Sequence, residues 1–395
     1  MHDAQGQPVQ GAQVKFKLYN YAEYYTLASQ PTDAGGTASL TTGLGDLLVW
    51  ATDGTRYAYS KLDVRTDSAL TLTLAAGQAP VDILEIVPPV AGQPKVVATE
   101  AEAAANACRL AYEDSLRAAY VATFPTRDNY QSMLRFATAD DALWDIIRRS
   151  EGNYAEIAAF LHEVPDYDYL RTFSDKDLRD ITAETLLANH VAAADPAIPR
   201  EVFVKGILPA RVSNEMVRPF RAGLACFRGM TADEIRRWVA DSIAVDDSSN
   251  YFGCPLSPVG VHRLRRADSH SRDIFFVAAC RAAGVPAYLD NATNILYAYS
   301  GGAWRSVGFA AAGAEGAAAE PVASLTLTYS GTAPAKPVYW PHFTLAKLEN
   351  GDLRTFDFED DPRMASFPAT ISLEPGTYCL STGNRYADGE VRSRL

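Results

Sequence analysis

The stretch from Asp268 to Gly308 constrains the fold of this chain more than any other. It opens on Asp268-Ser269-His270-Ser271-Arg272-Asp273, runs through the apolar segment Ile274 to Ala283, and then reads Gly284-Val285-Pro286-Ala287. Ile274, Phe275, Val277, Ala278 and Arg281 to Ala283 recur at helical spacing, which predicts a helix with an apolar face against a core. Gly284 sits where a left-handed C-terminal cap is wanted, and Pro286 stops the helix because it lacks an N–H. Three β-like runs follow, Ala287–Asp290, Ile295–Tyr299 and Ala303–Phe309. The stretch therefore reads as one helix with a polar N-terminus feeding an antiparallel sheet.

Around it the chain divides into regions of different periodicity. Residues 1–78 read as a β-sandwich. Ala12–Leu18 and Leu70–Leu74 alternate with period two, Leu47–Ala51 and Tyr57–Lys61 flank the hairpin turn Asp53-Gly54, and Thr32–Gly36 marks a further turn. With Gly6-Gln7-Pro8-Val9 and Gly11-Ala12-Gln13-Val14, the region resembles the carboxypeptidase-regulatory-like, Ig-type domains, whose usual place is that of an accessory spacer. Residues 79–98 read as a linker carrying one strand-like run, Ile83–Val87, stiffened by Pro88, Pro89 and Pro94. Residues 99–320 turn helical. Thr99-Glu100-Ala101-Glu102 is a capping box for a helix to about Val121, and Asn153 and Ser174 begin others. Helices are also predicted at Asp140–Arg149, Ala183–Ala193, Ser213–Phe227 and Thr231–Ile243. The polar loop Asp246–Pro258 ends in Ser257-Pro258, a cap followed by a first-position proline, and would line a cleft beside the core helix. Residues 321–395 return to β, with strands expected at Val322–Tyr329, Val338–Leu348, Leu353–Asp357, Ala369–Leu373 and Thr377–Thr382, and a hairpin turn at Asn350-Gly351. They read as a second, truncated Ig-like sandwich.

Charge and composition exclude several functions. The 395 residues carry a formal net charge of −12, which disfavours nucleic acid, whose phosphates need a basic surface, and anionic membranes. No apolar run is long enough to span a bilayer. Cys108, Cys226, Cys254, Cys280 and Cys379 are scattered, with neither a disulfide framework nor zinc-ligand spacing. His162, His190 and His342 have no partner at metal-ligand spacing, and no phosphate-binding or dinucleotide motif occurs, so no metal and no cofactor are expected. No signal peptide is visible. The chain begins at Asp3–Val9 inside a β motif and ends at Val391–Leu395 in what reads as a strand, which predicts a trimmed fragment.

The central helix, the segment Arg281-Ala282-Ala283-Gly284-Val285-Pro286-Ala287 and the strand motif Gly301-Gly302-Ala303-Trp304 resemble the core of the transglutaminase-like superfamily. Ser271-Arg272-Asp273-Ile274-Phe275-Phe276 and Tyr378-Cys379-Leu380-Ser381-Thr382-Gly383-Asn384-Arg385 extend the likeness to bacterial multidomain members. The resemblance implies an α+β fold, a helix-rich transglutaminase/papain-like core flanked by two Ig-like sandwiches. It also implies an exported protein, periplasmic or on the surface of a bacterium with an outer membrane. In that family a Cys at the helix N-terminus is activated by a His and an Asp from the following strands. Here the three positions fall on Ser269, Asn294 and Gly308, and none supplies the required group. The resemblance then implies a catalytically inactive member that binds a peptide, protein or glycan in a vestigial cleft.

Asp268, Ser269, His270, Arg272, His262 and Cys254 are the candidate ligand-binding residues. His262, Arg263, Arg265, Arg266, His270 and Arg272 form a local basic cluster in an acidic chain, suited to a carboxylate or acidic sugar at the helix N-terminus. Arg272 has the alternative of pairing internally with Asp268 or Asp273, and Ser269 or Asp268 that of serving as the helix cap. Two other functions remain open at this level. One is an active cysteine transamidase or peptidase with a rearranged site, Cys254 with His262 or His270. The other is carbohydrate stacking on the tyrosines of Asn20–Tyr25, whose alternative is packing against the neighbouring domain.

Overall fold

The first sheet takes its shape from one strand with two apolar faces. In the computed structural model the strands β1 (Gln13–Asn20), β2 (Glu23–Pro31), β3 (Asp46–Thr52), β4 (Arg56–Asp63) and β5 (Ala75–Ala76) form an antiparallel sheet in the order β2-β1-β3-β4-β5. The structure describes residues 1–77, 80–88, 97–192, 195–250, 252–309, 323–332 and 334–395. Pro89 and Pro94, Ala193, Tyr251, Val322 and the expected domain boundary at residues 320 and 321 lie outside them. Every residue of β3 is buried. Its period of two sends Leu47, Val49 and Ala51 into a cluster with Val14, Phe16, Leu72 and Leu74, and Leu48 and Trp50 into a second with Tyr24 and Tyr57. Leu72 and Leu74 are buried as their alternation predicts, yet Leu70–Leu74 forms only a bridge from Thr73 to His2. A further strand, β6 (Ile83–Ile86), follows.

The chain divides by contacts into two units, Met1–Lys95 with Pro321–Leu395, and Val96–Glu320. The second unit holds the helices α1 (Glu100–Val121), α2 (Tyr130–Leu134), α3 (Asp141–Ser150), α4 (Tyr154–Glu163), α5 (Tyr167–Arg171), α6 (Asp175–Asp180), α7 (Ala183–Asn189), α8 (Arg200–Gly206), α9 (Ala232–Ser242), α10 (Pro258–Leu264) and α11 (Ser269–Ala283). Thr99, Ser174 and Thr231 each close a reciprocal capping box, and Ser257 caps α10 with Pro258 at its first position. Asp268 caps α11, and Gly284 ends it at φ 82°.

Ile274 through Cys280 are each buried, so α11 is apolar all round and stands at the centre of the core rather than on one side of it. The strands β7 (Ala244–Val245) and β8 (Arg266–Ala267) pair in parallel, while β9 (Ala287–Asp290), β10 (Ile295–Ser300) and β11 (Ala303–Val307) form an antiparallel sheet in the order β11-β10-β9. Gly206 permits the close approach of α8 to this sheet: a Cβ there would lie 2.7 Å from both Pro286 and Trp304.

The helix predicted at Ser213–Phe227 does not form; only a 3-10 turn, Ala225–Phe227, appears. Pro219 lacks an N–H and disfavours helical geometry at Arg218. Arg221, at the start of the turn that follows, enters the core and donates to the carbonyls of Asn189 (2.6 Å), Ile207 (2.6 Å) and Arg281 (2.9 Å). Arg281 does the same from the last turn of α11, reaching Ala287, Pro209 and Arg211.

The last strands return to the first unit. β12 (Ala323–Leu327) pairs with β15 (Ala369–Leu373). β13 (Phe343–Glu349), β14 (Asp352–Thr355), β16 (Tyr378–Arg385) and β17 (Val391–Arg394) form a sheet in the order β14-β13-β16-β17-β6. The strand-like run expected at Ile83–Val87 within the linker forms as β6. That segment is an edge strand whose Ile86 faces Val391 and Ile83 faces Arg394, so the sheet is assembled from both sides of the helical region. The apolar alternation of Leu84 is satisfied in the cluster around Trp50, together with Cys379 and Leu395. Asn350 and Gly351, at φ 52° and 71°, make the expected tight hairpin. Trp50 Nε1 donates to Gly351 O at 2.8 Å, and Lys15 and Lys17 both pair with Asp352. The fold is α+β. No helix among the described residues is long and apolar enough to cross a membrane.

Candidate functional site

A helix N-terminus leaves N–H groups without intrahelical partners and carries partial positive charge. In α11 this chain fills that end with its own carboxylates. Asp268 accepts from Ser271 N (2.9 Å), Ser271 Oγ (2.6 Å) and Asn250 Nδ2 (2.8 Å). Asp247 accepts from Ser269 N (2.7 Å) and from Ser269 Oγ (2.9 Å). The parallel pair β7–β8 explains the second contact. Val245 faces Ala267, so two residues further on Asp247 runs alongside Ser269. An external anion at this terminus would meet two resident carboxylates. Asp268 and Ser269 take the helix-cap alternative: they hold the helix end.

The basic cluster is dispersed in the same way. Arg272 donates through Nε (2.8 Å) and Nη2 (2.7 Å) to Asp273, and its guanidinium lies 4.3 Å from the ring centroid of Phe309. Burial pushes the Asp273 carboxyl up despite this partner. Arg266 pairs with Asp246 at 3.0 Å, and Arg265 covers the Trp238 ring at 4.4 Å. Arg272 thus takes its internal alternative.

His270 turns to another element. Its Nε2 lies 2.8 Å from Asn214 Oδ1 and 3.4 Å from Ser213 Oγ. Asn214 lines a polar cavity of about 490 Å³ whose wall also holds Asp177, Thr182, Arg211 and Glu215. Arg211 Nε bridges both oxygens of Asp177, at 2.9 and 2.8 Å. Lys176 and Arg218 line the same cavity and are exposed. This cavity is one residue removed from His270.

Cys254 is exposed and its thiol donates to Phe252 O at 3.9 Å. Asn250 clasps the Cys254 backbone, donating to its carbonyl at 2.9 Å and accepting from its N–H at 3.2 Å, which closes the loop on itself. His262 meets a different thiol: its Nε2 lies 3.8 Å from Cys226 Sγ. The two imidazoles that the sequence offered to Cys254 are thus seen on other partners, His262 on Cys226 and His270 on Asn214. Phe227, Trp238 and Phe275 surround the His262 ring at centroid distances of 5.7, 5.6 and 6.1 Å. Burial, with Arg265 second, pushes its pKa down.

The other expected triad positions are structural. Asn294 occupies the β9–β10 turn at φ 60°, a left-handed conformation that Asn tolerates, and Gly308 follows the end of β11. Among the described residues no three His, Cys, Asp or Glu side chains converge on a point that could hold a metal ion. Of the tyrosines, Tyr24 is buried with its hydroxyl on Ser393 of β17, which is the packing alternative, while Tyr21 and Tyr25 are exposed. Three residues escaped the sequence reading: Cys226, Asn214 and the capping role of Asp247. Only Asp247 carried a local signal, as an acidic residue in the loop before the helix.

No family model matches the chain, and comparison with curated proteins finds no match.

Proposed function

We propose that this chain is a transglutaminase-like pseudoenzyme, a helix-rich core flanked by Ig-like sandwiches, that binds a ligand or scaffolds a partner instead of turning over a substrate. The resemblance of the core segment supports the family, and with it goes a periplasmic or surface location. The observation that carries the inactive reading is the state of Ser269. Both its N–H and its hydroxyl are held by Asp247, and the neighbouring imidazole of His270 is turned to Asn214. A serine nucleophile needs a base within hydrogen-bond reach that takes its proton; a carboxylate that also caps the helix is a poor substitute for imidazole. The ligand site is the polar cavity beside Asn214. Asp177 is taken by Arg211 and Glu215 by the N–H groups of Val212 and Ser213, so the exposed cations Lys176 and Arg218 outnumber the exposed Asp180 and, with the Thr182 and Thr185 hydroxyls, suit an acidic peptide or acidic glycan.

The test uses the full chain. A fluorescent primary amine with a glutamine-bearing protein acceptor, and fluorogenic peptide amides, should give no turnover beyond that of the Cys226→Ser/Cys254→Ala double variant. Thiol-dependent turnover would overturn the inactive reading. A fluorescent oligoglutamate peptide and an oligogalacturonate should bind, and lose affinity in Lys176→Gln/Arg218→Gln. Binding of neither probe would overturn the cavity as the site.

A further inference from the structure

Of the described cysteines, Cys280 and Cys379 are buried and Cys108, Cys226 and Cys254 are exposed. Among the exposed three, Cys226 is the one with an imidazole beside it, His262 Nε2 at 3.8 Å. The pair is built by packing. Cys226 lies on the 3-10 turn Ala225–Phe227, His262 on α10, and the rings that position the imidazole come from that turn (Phe227), α9 (Trp238) and α11 (Phe275). Each of those three elements belongs to the hydrophobic core cluster through Phe227, Ile235, Val239 and Phe275, so the imidazole is fixed. One cation is shown acting on the pair: Arg265, whose guanidinium covers the Trp238 ring at 4.4 Å and bears on the His262 imidazole.

We propose that Cys226 and His262 form a reactive thiol–imidazole pair that undergoes exchange with small disulfides bearing carboxylates, giving a mixed disulfide at Cys226 Sγ. In the step, Cys226 Sγ attacks one sulfur of the disulfide as His262 Nε2 accepts the thiol proton. The new S–S bond forms, the old one breaks, and the leaving thiolate takes the proton back from His262 to depart as a free thiol. No net oxidation of the system occurs, because the small disulfide is the oxidant and its released half is the reduced product. The imidazole must be neutral to act. Its burial favours that form, and Arg265 is the charged group that acts on it in the same sense. Arg265 supplies attraction for a carboxylate of the incoming disulfide.

The gain has a ceiling. A free thiol of pKa about 8.5 is already roughly one-tenth thiolate at pH 7.5, so activation there raises the rate by at most about tenfold. The experiment measures alkylation of each cysteine by iodoacetamide in the full chain, peptide by peptide, from pH 5.5 to 8.5 (on the order of the His titration range). Cys226 should label about threefold or more faster than Cys108 and Cys254 near neutrality, and its rate should show an inflection below the ordinary histidine value of 6.5. His262→Gln should bring Cys226 down to the Cys108 rate while Cys280 stays protected. If that variant exposes Cys280, the wild-type pH profile decides alone. Equal rates for Cys226 and Cys108, or a profile without the inflection, would overturn the pair. With oxidised glutathione, Cys226 should react faster than with the uncharged hydroxyethyl disulfide, and added salt should narrow the difference. Equal rates with the two disulfides would overturn the carboxylate preference.

Discussion

Replacing Arg281 by Met tests how the core helix holds the wall of the candidate cleft. The Arg281 guanidinium donates to the carbonyls of Ala287 (3.1 Å), Pro209 (2.9 Å) and Arg211 (2.7 Å), and the residue is 3% exposed. Methionine matches its length but offers no donor, so three carbonyls lose this partner. A buried acceptor left unsatisfied costs about 1–3 kcal/mol, hence on the order of 3–9 kcal/mol for three. Against this, the variant no longer buries a charge that, among the described residues, forms no direct ion pair and feels only the nearby Glu215; burial pushes the guanidinium pKa down to about 9, and removing such a charge returns several kcal/mol. The balance predicts a net loss of about 3 kcal/mol in the helical unit. Lysine should not rescue it, since one ammonium cannot span carbonyls on β9 and on the 209–211 segment at once. Urea unfolding followed by the fluorescence of Trp144, Trp238 and Trp304 measures this, with the two units treated as separate transitions. A loss under about 1 kcal/mol would refute the reasoning, because it would mean that these carbonyls find other donors and that Arg281 does not hold residues 209–211. The consequence reaches the site: the Arg211 side chain lines the cavity while its carbonyl is one of the three, so oligoglutamate binding should weaken in parallel.

Three further outcomes follow from other parts of the chain. Burial pushes the Asp352 carboxyl up, but Lys17 and Lys15 outweigh it and hold it below the usual range. Its stabilisation is therefore complete above the unfolded value of about 3.9 and is lost as pH falls through the lower folded value. Asp352→Asn should flatten the acid dependence of the β unit between about pH 4 and pH 2, measured as unfolding midpoints by Trp50 fluorescence. Gly351→Ala should cost that unit about 2 kcal/mol in thermal or urea unfolding, since the residue is at φ 71° and a Cβ would strike Thr52 Oγ1 and lie 3.1 Å from Arg56 O. Asp247→Ala should lower the stability of the helical unit by about 1 kcal/mol through loss of the helix-end contacts, yet leave Ser269 unlabelled by a serine-reactive fluorophosphonate. Labelling would show that Asp247 suppresses a latent nucleophile.

Signals that act within a few residues were legible in the sequence. The capping residues Thr99, Ser174, Thr231, Ser257 and Asp268, the Gly284 cap and the Asn350-Gly351 hairpin each occupy the position their chemistry demands. The strand β2 was missed because its hairpin turns through Tyr21 at φ 54° instead of through a Gly or Asn. The failures grow with sequence distance. The pairing of β6 with β17 joins segments separated by the whole helical region, and the false helix at Ser213–Phe227 reflects a pattern that Pro219 and the buried Arg221 override. The site obeys the same rule. Seen locally, Asp268–Arg272 is an open helix end beside a cluster of arginines, which is the pattern of an anion site. It is closed by the two-residue parallel pair of Val245 with Ala267 and Ala244 with Arg266, which carries Asp246 to Arg266 and Asp247 to Ser269. The same folding of the loop leaves His262, on which Arg265 still acts, turned across α9 and α11 toward Cys226. The residues richest in local signal are thus bound to one another, and the reactive contact falls to a cysteine whose surroundings in the sequence announce nothing.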